Sequence, residues 1–210
     1  MEDLAKEYGF GFYKKTHLDK NSLWFSITKN NPSLETLNYA ISLFPKKKKN
    51  YRNIFNYLGG TYQERKISIY NYQHETSGYA VFEIETEKYL PETIITAKRS
   101  KLNNFLCQKN TLNVINANQM ETESNEFNKH FKIFFQKDNN IKNELAILEI
   151  LTPKIMAMLI DEEIRQKGKD IHLEFHKNKI ILYKSIRIFS SELSKKDFQR
   201  LLSLARKIAK

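Results

Sequence analysis

Along this chain the apolar positions switch between a period of two and a period of three to four, and the switches delimit the elements. Residues 2–8 read as a short helix stopped by Gly9, and Phe10, Phe12 and Tyr13 follow as an aromatic strand. Pro32-Ser33 opens a helix to about Phe44, ended by Pro45. Tyr51–Leu58 and Tyr62–Tyr72 alternate as strands, with Gly59-Gly60 between them as a hairpin turn. Tyr79–Glu87 is a third strand, with Phe82 and Ile84 on one face and Val81, Glu83 and Glu85 on the other. Leu90-Pro91 breaks the run before a short strand at Thr93–Ala97, and residues 108–125 are polar and loop-like.

The last third carries the clearest pattern. Phe127–Phe135 alternates as a strand, Asn143–Leu151 is a short helix, and Thr152-Pro153 caps a second helix to about Gln166. Asp170–His176 and Lys179–Lys184 read as a hairpin around Lys177-Asn178. Ser194 caps a final helix whose buried face is Phe198, Leu201, Leu202, Ala205 and Ile208. The expected fold class is therefore α+β: a mostly antiparallel sheet of hairpins packed by a mid-chain helix and a C-terminal helix. Residues 1–210 read as a single domain, with a division into a Tyr-rich sheet lobe (1–110) and a strand-helix-hairpin-helix lobe (111–210) as the alternative. Only 6 Gly and 4 Pro occur, and neither they nor Ser gather into a linker, which favours one unit.

Composition adds a charge question. The net charge is +11, which favours anionic partners such as nucleic acid or the inner face of a membrane. Residues 1–110 hold 17 basic and 11 acidic side chains and residues 111–210 hold 18 and 13, so the surplus is spread and not gathered in a tail. Cys107 is the only cysteine, which excludes an internal disulfide and a cysteine-based zinc cluster. The acidic start Met1-Glu2-Asp3-Leu4 lacks the apolar core of a signal peptide, and no window reaches the roughly 18 apolar residues of a spanning helix. The chain reads as a cytoplasmic protein, peripheral at the inner membrane if membrane-associated.

No phosphate loop, dinucleotide fingerprint, nucleophile elbow or zincin motif is present, so neither catalytic residues nor a cofactor are expected. Three constellations remain. Strand alternation puts His172, Glu174 and His176 on one face, a spacing that can hold zinc or iron; the ordinary alternative is a polar hairpin face meeting water. A basic stripe on the last helix (Lys196, Arg200, Lys207, Lys210), together with the loop Lys46, Lys47, Lys48 and Lys49, can meet anionic phosphates; an ordinary solvated face weighs more. The Tyr-rich sheet, with Tyr62, Tyr70 and Tyr72 near Arg65, can stack nucleic-acid bases; routine cross-strand packing weighs more. Glu83, Glu85, Glu87, Glu162 and Glu163 are expected on solvated faces.

Several segments carry a resemblance: Gly9-Phe10-Gly11-Phe12-Tyr13, Tyr51-Arg52-Asn53-Ile54, Ile69-Tyr70-Asn71-Tyr72, Phe127 through Ile133, and above all Ile150-Leu151-Thr152-Pro153 with Met156 and Leu159. In these the chain resembles an uncharacterised bacterial family in which an N-terminal membrane anchor often precedes an α+β cytoplasmic domain. The resemblance implies a bacterial source and a place near the inner membrane surface, and it implies no reaction. Three function classes follow. A non-enzymatic binding or scaffold domain, its partner an anionic membrane surface or a membrane-bound protein, leads. A nucleic-acid-binding module would show a steep salt dependence, and a metal-dependent enzyme would show bound metal on elemental analysis.

Overall fold

The computed structural model describes residues 1–17, 52–74, 77–98, 117–136, 140–165, 171–186 and 195–208. Helix α1 is Glu2–Tyr8, closed by Gly9 at φ 67°, a left-handed conformation that glycine adopts without penalty. Strands β1 (Gly11–His17), β2 (Arg52–Tyr62), β3 (Arg65–His74) and β4 (Ser77–Ala97) follow. Then come β5 (Ala117–Met120), α2 (Asn125–His130), β6 (Phe131–Gln136), α3 (Asn140–Ile150), α4 (Pro153–Arg165), β7 (Ile171–Ile186) and α5 (Lys195–Ile208). The α+β class with a large antiparallel sheet and packed helices is as the pattern predicted.

The sheet is organised by a long ribbon of β4 against β7. Along the other edge of β4, its first half pairs with β3 and its last residues, Thr93–Ala97, pair with β6. The strands β1-β2-β3 thus extend from one end of the ribbon and β6-β5 from the other, in one sheet with seven strands among the described residues. One face carries the apolar core, where Leu58, Ile69, Phe82, Ile84, Leu182 and Phe175 meet Phe198, Leu201 and Ala205 of α5 and Leu159 of α4. At about 25 cal/mol per Å² of apolar surface, these fully buried side chains supply most of what holds the helices on the sheet.

Three turn signals are used otherwise than predicted. Gly59-Gly60 lies inside β2, and the chain reverses at Gln63-Glu64, both at positive φ (51° and 67°) as a tight hairpin turn needs. The glycines are there for room: a Cβ on Gly60 would stand 2.5 Å from the Phe10 ring, and one on Gly59 would stand 2.8 Å from the Tyr57 ring. Leu90-Pro91 does not end β4, and Lys177-Asn178 is no hairpin tip, since β7 runs through it. The register instead shifts between Glu85 and Leu90 and again before Thr93, opposite Lys177. An irregularity of this kind tolerates proline in a central strand, because no ladder hydrogen bond is demanded of it there. Phe127 likewise belongs to α2, not to a strand: Ser124 Oγ accepts the Phe127 N–H at 3.2 Å as an N-cap, and Phe127 stacks on Phe131 at the start of β6.

Candidate binding cleft and the buried polar face

The second face of the sheet is polar in sequence and buried in the structure. It carries Tyr57, Ser68, Tyr70, Glu83, Thr96, His172, Glu174, His176, Lys179 and Tyr183, all buried. His172, Glu174 and His176 share this face, as alternation predicted, but each has its own neighbour. His172 Nδ1 lies 2.8 Å from Thr96 Oγ1, Tyr183 Oη donates to Glu174 Oε2 at 2.9 Å, and His176 Nδ1 lies 3.3 Å from Glu92 Oε1. Among the described residues no group of three His, Cys, Asp or Glu side chains is placed to hold a metal ion. The three side chains share a face without converging on one point, and the face is buried instead of meeting water. Burial pushes the His172 imidazole down to about 3 and the Glu174 carboxyl up to about 8; for Glu174 the Tyr183 hydrogen bond opposes the rise and the nearby Glu92 adds to it. At neutral pH the pair stands there uncharged.

Glu83, expected on a solvated face, is 3% exposed and accepts from Lys179 Nζ at 2.8 Å. Glu162 and Glu163 are buried as well. Glu163 Oε2 lies 2.9 Å from His130 Nδ1, fastening α4 to α2. Glu162 receives Arg200 of α5, with Nη2–Oε1 at 2.9 Å and Nε–Oε2 at 2.6 Å. Arg200 also donates to Asp197, and Asp197 lies 3.5 Å from Lys184 Nζ on β7. Burial lowers the pKa of Lys184, and Asp197 and Glu162 oppose the shift.

The basic stripe of α5 is thus broken at Arg200, which is bound into the α4–α5 contact and is not an open surface cation. Lys196 and Lys207 are exposed; Lys195 pairs with Glu7; Lys210 and Lys46–Lys49 lie outside the described residues. The expected consequence is a split within the stripe. Arg200→Ala should cost about 1–3 kcal/mol by leaving Glu162 buried without its guanidinium, while Lys196→Ala should stay within about 0.5 kcal/mol. Urea denaturation of the two variants checks this, and equal midpoints would contradict it.

The tyrosine platform is closed in the same way. Tyr70 is 2% exposed and stacks on Tyr57, whose hydroxyl meets Ser68 at 3.0 Å. Tyr62 lies among Tyr8 and Phe10 beneath Arg206, whose guanidinium sits 5.1 Å from the ring centroid and whose Nη2 reaches Gln63. A stacked base would have to displace these neighbours, so the sheet offers no open aromatic face at Tyr62 and Tyr70. The Tyr72 side chain lies outside the described residues.

A concave site lined by described residues opens on the apolar side of the sheet. It is a cleft of about 510 Å³ between α3, the first turn of α4 and the end of α5. Its floor is apolar: Leu90, Ile150, Ile155, Ile180 and Ile208. Its rim carries Arg65, Lys154 and Lys207 together with Glu87 and Glu149. Arg65 and Lys207 had each been singled out in the sequence, for different reasons, and the fold brings them to one cleft. Lys154 was missed, although a signal existed. The Thr152-Pro153 cap places Lys154 in the first turn of α4, where the helix dipole disfavours a cation. The Thr152 hydroxyl accepts the Ile155 N–H at 3.4 Å and so fixes this corner of the cleft.

No protein-family model matches the chain, and no curated protein matches it in sequence. Its fold is similar to that of a solved structure, the crystal structure of the mycobacterial trehalose monomycolate transport factor A, TtfA. The TM-score is 0.53 at 8% identity, over 99% of this chain and 89% of that one. At that identity the likeness concerns the fold, which both chains carry over nearly their whole lengths. No helix among the described residues is long and apolar enough to cross a membrane.

Proposed function

We propose that this protein is a non-enzymatic binding or scaffold domain, associated with transport, acting in the cytoplasm at the inner face of an anionic membrane. The observation that carries the reading is the cleft: an apolar floor with a cation-bearing rim, built on rigid elements at the meeting of three helices. The buried ionisable groups support it, since His172, Glu174, Glu83 and Glu163 are tied to partners within the fold. The fold likeness to a transport factor supports the transport association, and the net charge of +11 supports the membrane face.

Flotation with vesicles tests it. The protein should float with anionic vesicles at low salt, remain unbound to neutral ones, and dissociate as salt rises, because surface attraction decays over about 10 Å at 0.1 M salt. Lys196→Glu combined with Lys207→Glu should weaken flotation without changing the unfolding midpoint by more than about 0.5 kcal/mol, as both side chains are exposed. Absence of binding to anionic vesicles at low salt would overturn the membrane-face reading.

A further inference from the structure

We infer that the α3–α4–α5 cleft is a binding site for a single-chain membrane lipid with an anionic headgroup, its acyl chain on the apolar floor and its headgroup at the Lys154–Lys207 rim. The inference rests on the binding-domain reading and gives it a ligand. Size is the first argument. A volume of about 510 Å³ falls within the roughly 300–1,000 Å³ of small-molecule sites. The cleft therefore has the size of a site for a small ligand such as one flexible chain.

The lining is the second argument. Leu90, Ile155, Ile180 and Ile208 are each less than 10% exposed, so the floor is a continuation of the core surface and not a scatter of surface apolar atoms. An acyl chain laid there is removed from water along its length and gains the usual hydrophobic contribution.

Charge is the third argument, and it places the headgroup. Three cations face two carboxylates around the rim, but they are not equivalent. Among the described residues no carboxylate pairs with Lys154 or Lys207; Lys207 Nζ has the Met158 thioether at 3.8 Å. Lys154 stands at the N-terminal end of the 13-residue α4, where the helix already contributes partial positive charge. A phosphate or carboxylate at that corner relieves an arrangement that is otherwise electrostatically unfavourable, through charge-assisted hydrogen bonds. The Glu87 and Glu149 carboxylates also lie on the rim and limit how far a dianionic headgroup can spread along it.

Calorimetric titration of the whole protein tests the site, using dodecyl phosphate below its micelle concentration, dodecanol and inorganic phosphate. Dodecyl phosphate should bind one-to-one and about tenfold or more tighter than dodecanol, a difference of about 1.4 kcal/mol, and inorganic phosphate alone should give no saturable signal. Lys154→Ala with Lys207→Ala should remove most of that preference and leave dodecanol binding unchanged. Both positions are exposed, so this variant stays informative if a cleft-filling variant fails to fold. Ala146→Trp should fill the cleft and abolish binding of both chains while flotation with anionic vesicles persists. That pattern separates failure of the cleft from failure of the membrane-face reading. No one-to-one binding of dodecyl phosphate, or binding indifferent to both variants, would overturn the inference.

Discussion

Glu174→Gln is expected to stabilise the protein at pH 8 by roughly 3–5 kcal/mol and to change it by less than about 1 kcal/mol near pH 4.5. Unfolded, this carboxyl titrates near 4.5; folded, burial raises it to about 8. A raised carboxyl pKa means that the folded state holds its proton longer than the unfolded state does. The contribution is complete below pH 4.5, declines as the pH rises, and is gone above about 8. His172 works in the opposite sense. Its folded pKa is depressed from 6.5 to about 3, so its contribution is complete above 6.5 and is lost as the pH falls toward 3. These two groups, on one buried strand face, place their joint optimum between about pH 4.5 and 6.5. Glutamine keeps an oxygen for the Tyr183 hydroxyl, so the substitution removes the ionisation and retains the hydrogen bond. Urea unfolding between pH 4 and 9 measures it. A wild-type curve that does not fall between pH 5 and 8, or one paralleled by the variant throughout, would contradict the burial of an uncharged carboxyl here.

Much of the architecture was legible because burial on one face imposes periodicity. The stripe Phe198, Leu201, Leu202, Ala205, Ile208 announced α5, and the alternation Ile67, Ile69 against Ser68, Tyr70 announced β3. The turn errors have a single physical origin. Leu90-Pro91 and Lys177-Asn178 both read as places where a strand ends, and each is flanked by apolar residues whose parity inverts across it: Phe82 and Ile84 lead to Ile95, and Leu173 and Phe175 lead to Ile180 and Leu182. In the fold these two signals are the opposite sides of one irregularity in the β4–β7 ribbon. A bulge inverts parity as a turn does, and only the partner strand distinguishes them.

The site was less legible for a related reason. Polar residues at strand spacing suggest a wet face, and here that inference fails for Glu83, Lys179, His172, Glu174 and Tyr183, which are buried with their partners. The partners are distant in sequence: Thr96 for His172, Glu83 for Lys179, Glu162 for Arg200. Local spacing carries no information about such pairs. The cleft is non-local in the same way, drawing Arg65, Lys154 and Lys207 from three separate elements. The α5 stripe divided accordingly, Arg200 serving the helix–helix contact and Lys207 the rim.

The Glu83–Lys179 pair should show the largest cost of a single substitution. Its side chains are 4% and 9% exposed and their charged atoms are 2.8 Å apart, bridging β4 and β7 just before the register shift. Two buried charges lose their hydration, and their mutual attraction roughly repays that loss; removing one side chain takes that compensation from the buried charge that stays. Glu83→Leu and Lys179→Leu should therefore each destabilise by about 3–5 kcal/mol, whereas the double substitution should recover most of the loss. An apolar pair at these positions would sit beside Val81, Ile181 and Tyr183, all buried on the same face, so the site can accept it without opening a void. A double-mutant cycle in urea reads the coupling directly, and it should exceed about 2 kcal/mol. Additive single effects, or singles below about 1 kcal/mol, would mean that water reaches this face and that the two charges are solvated separately. A strong coupling would show the opposite: the ribbon is closed on its polar side beside the point where its strands change register.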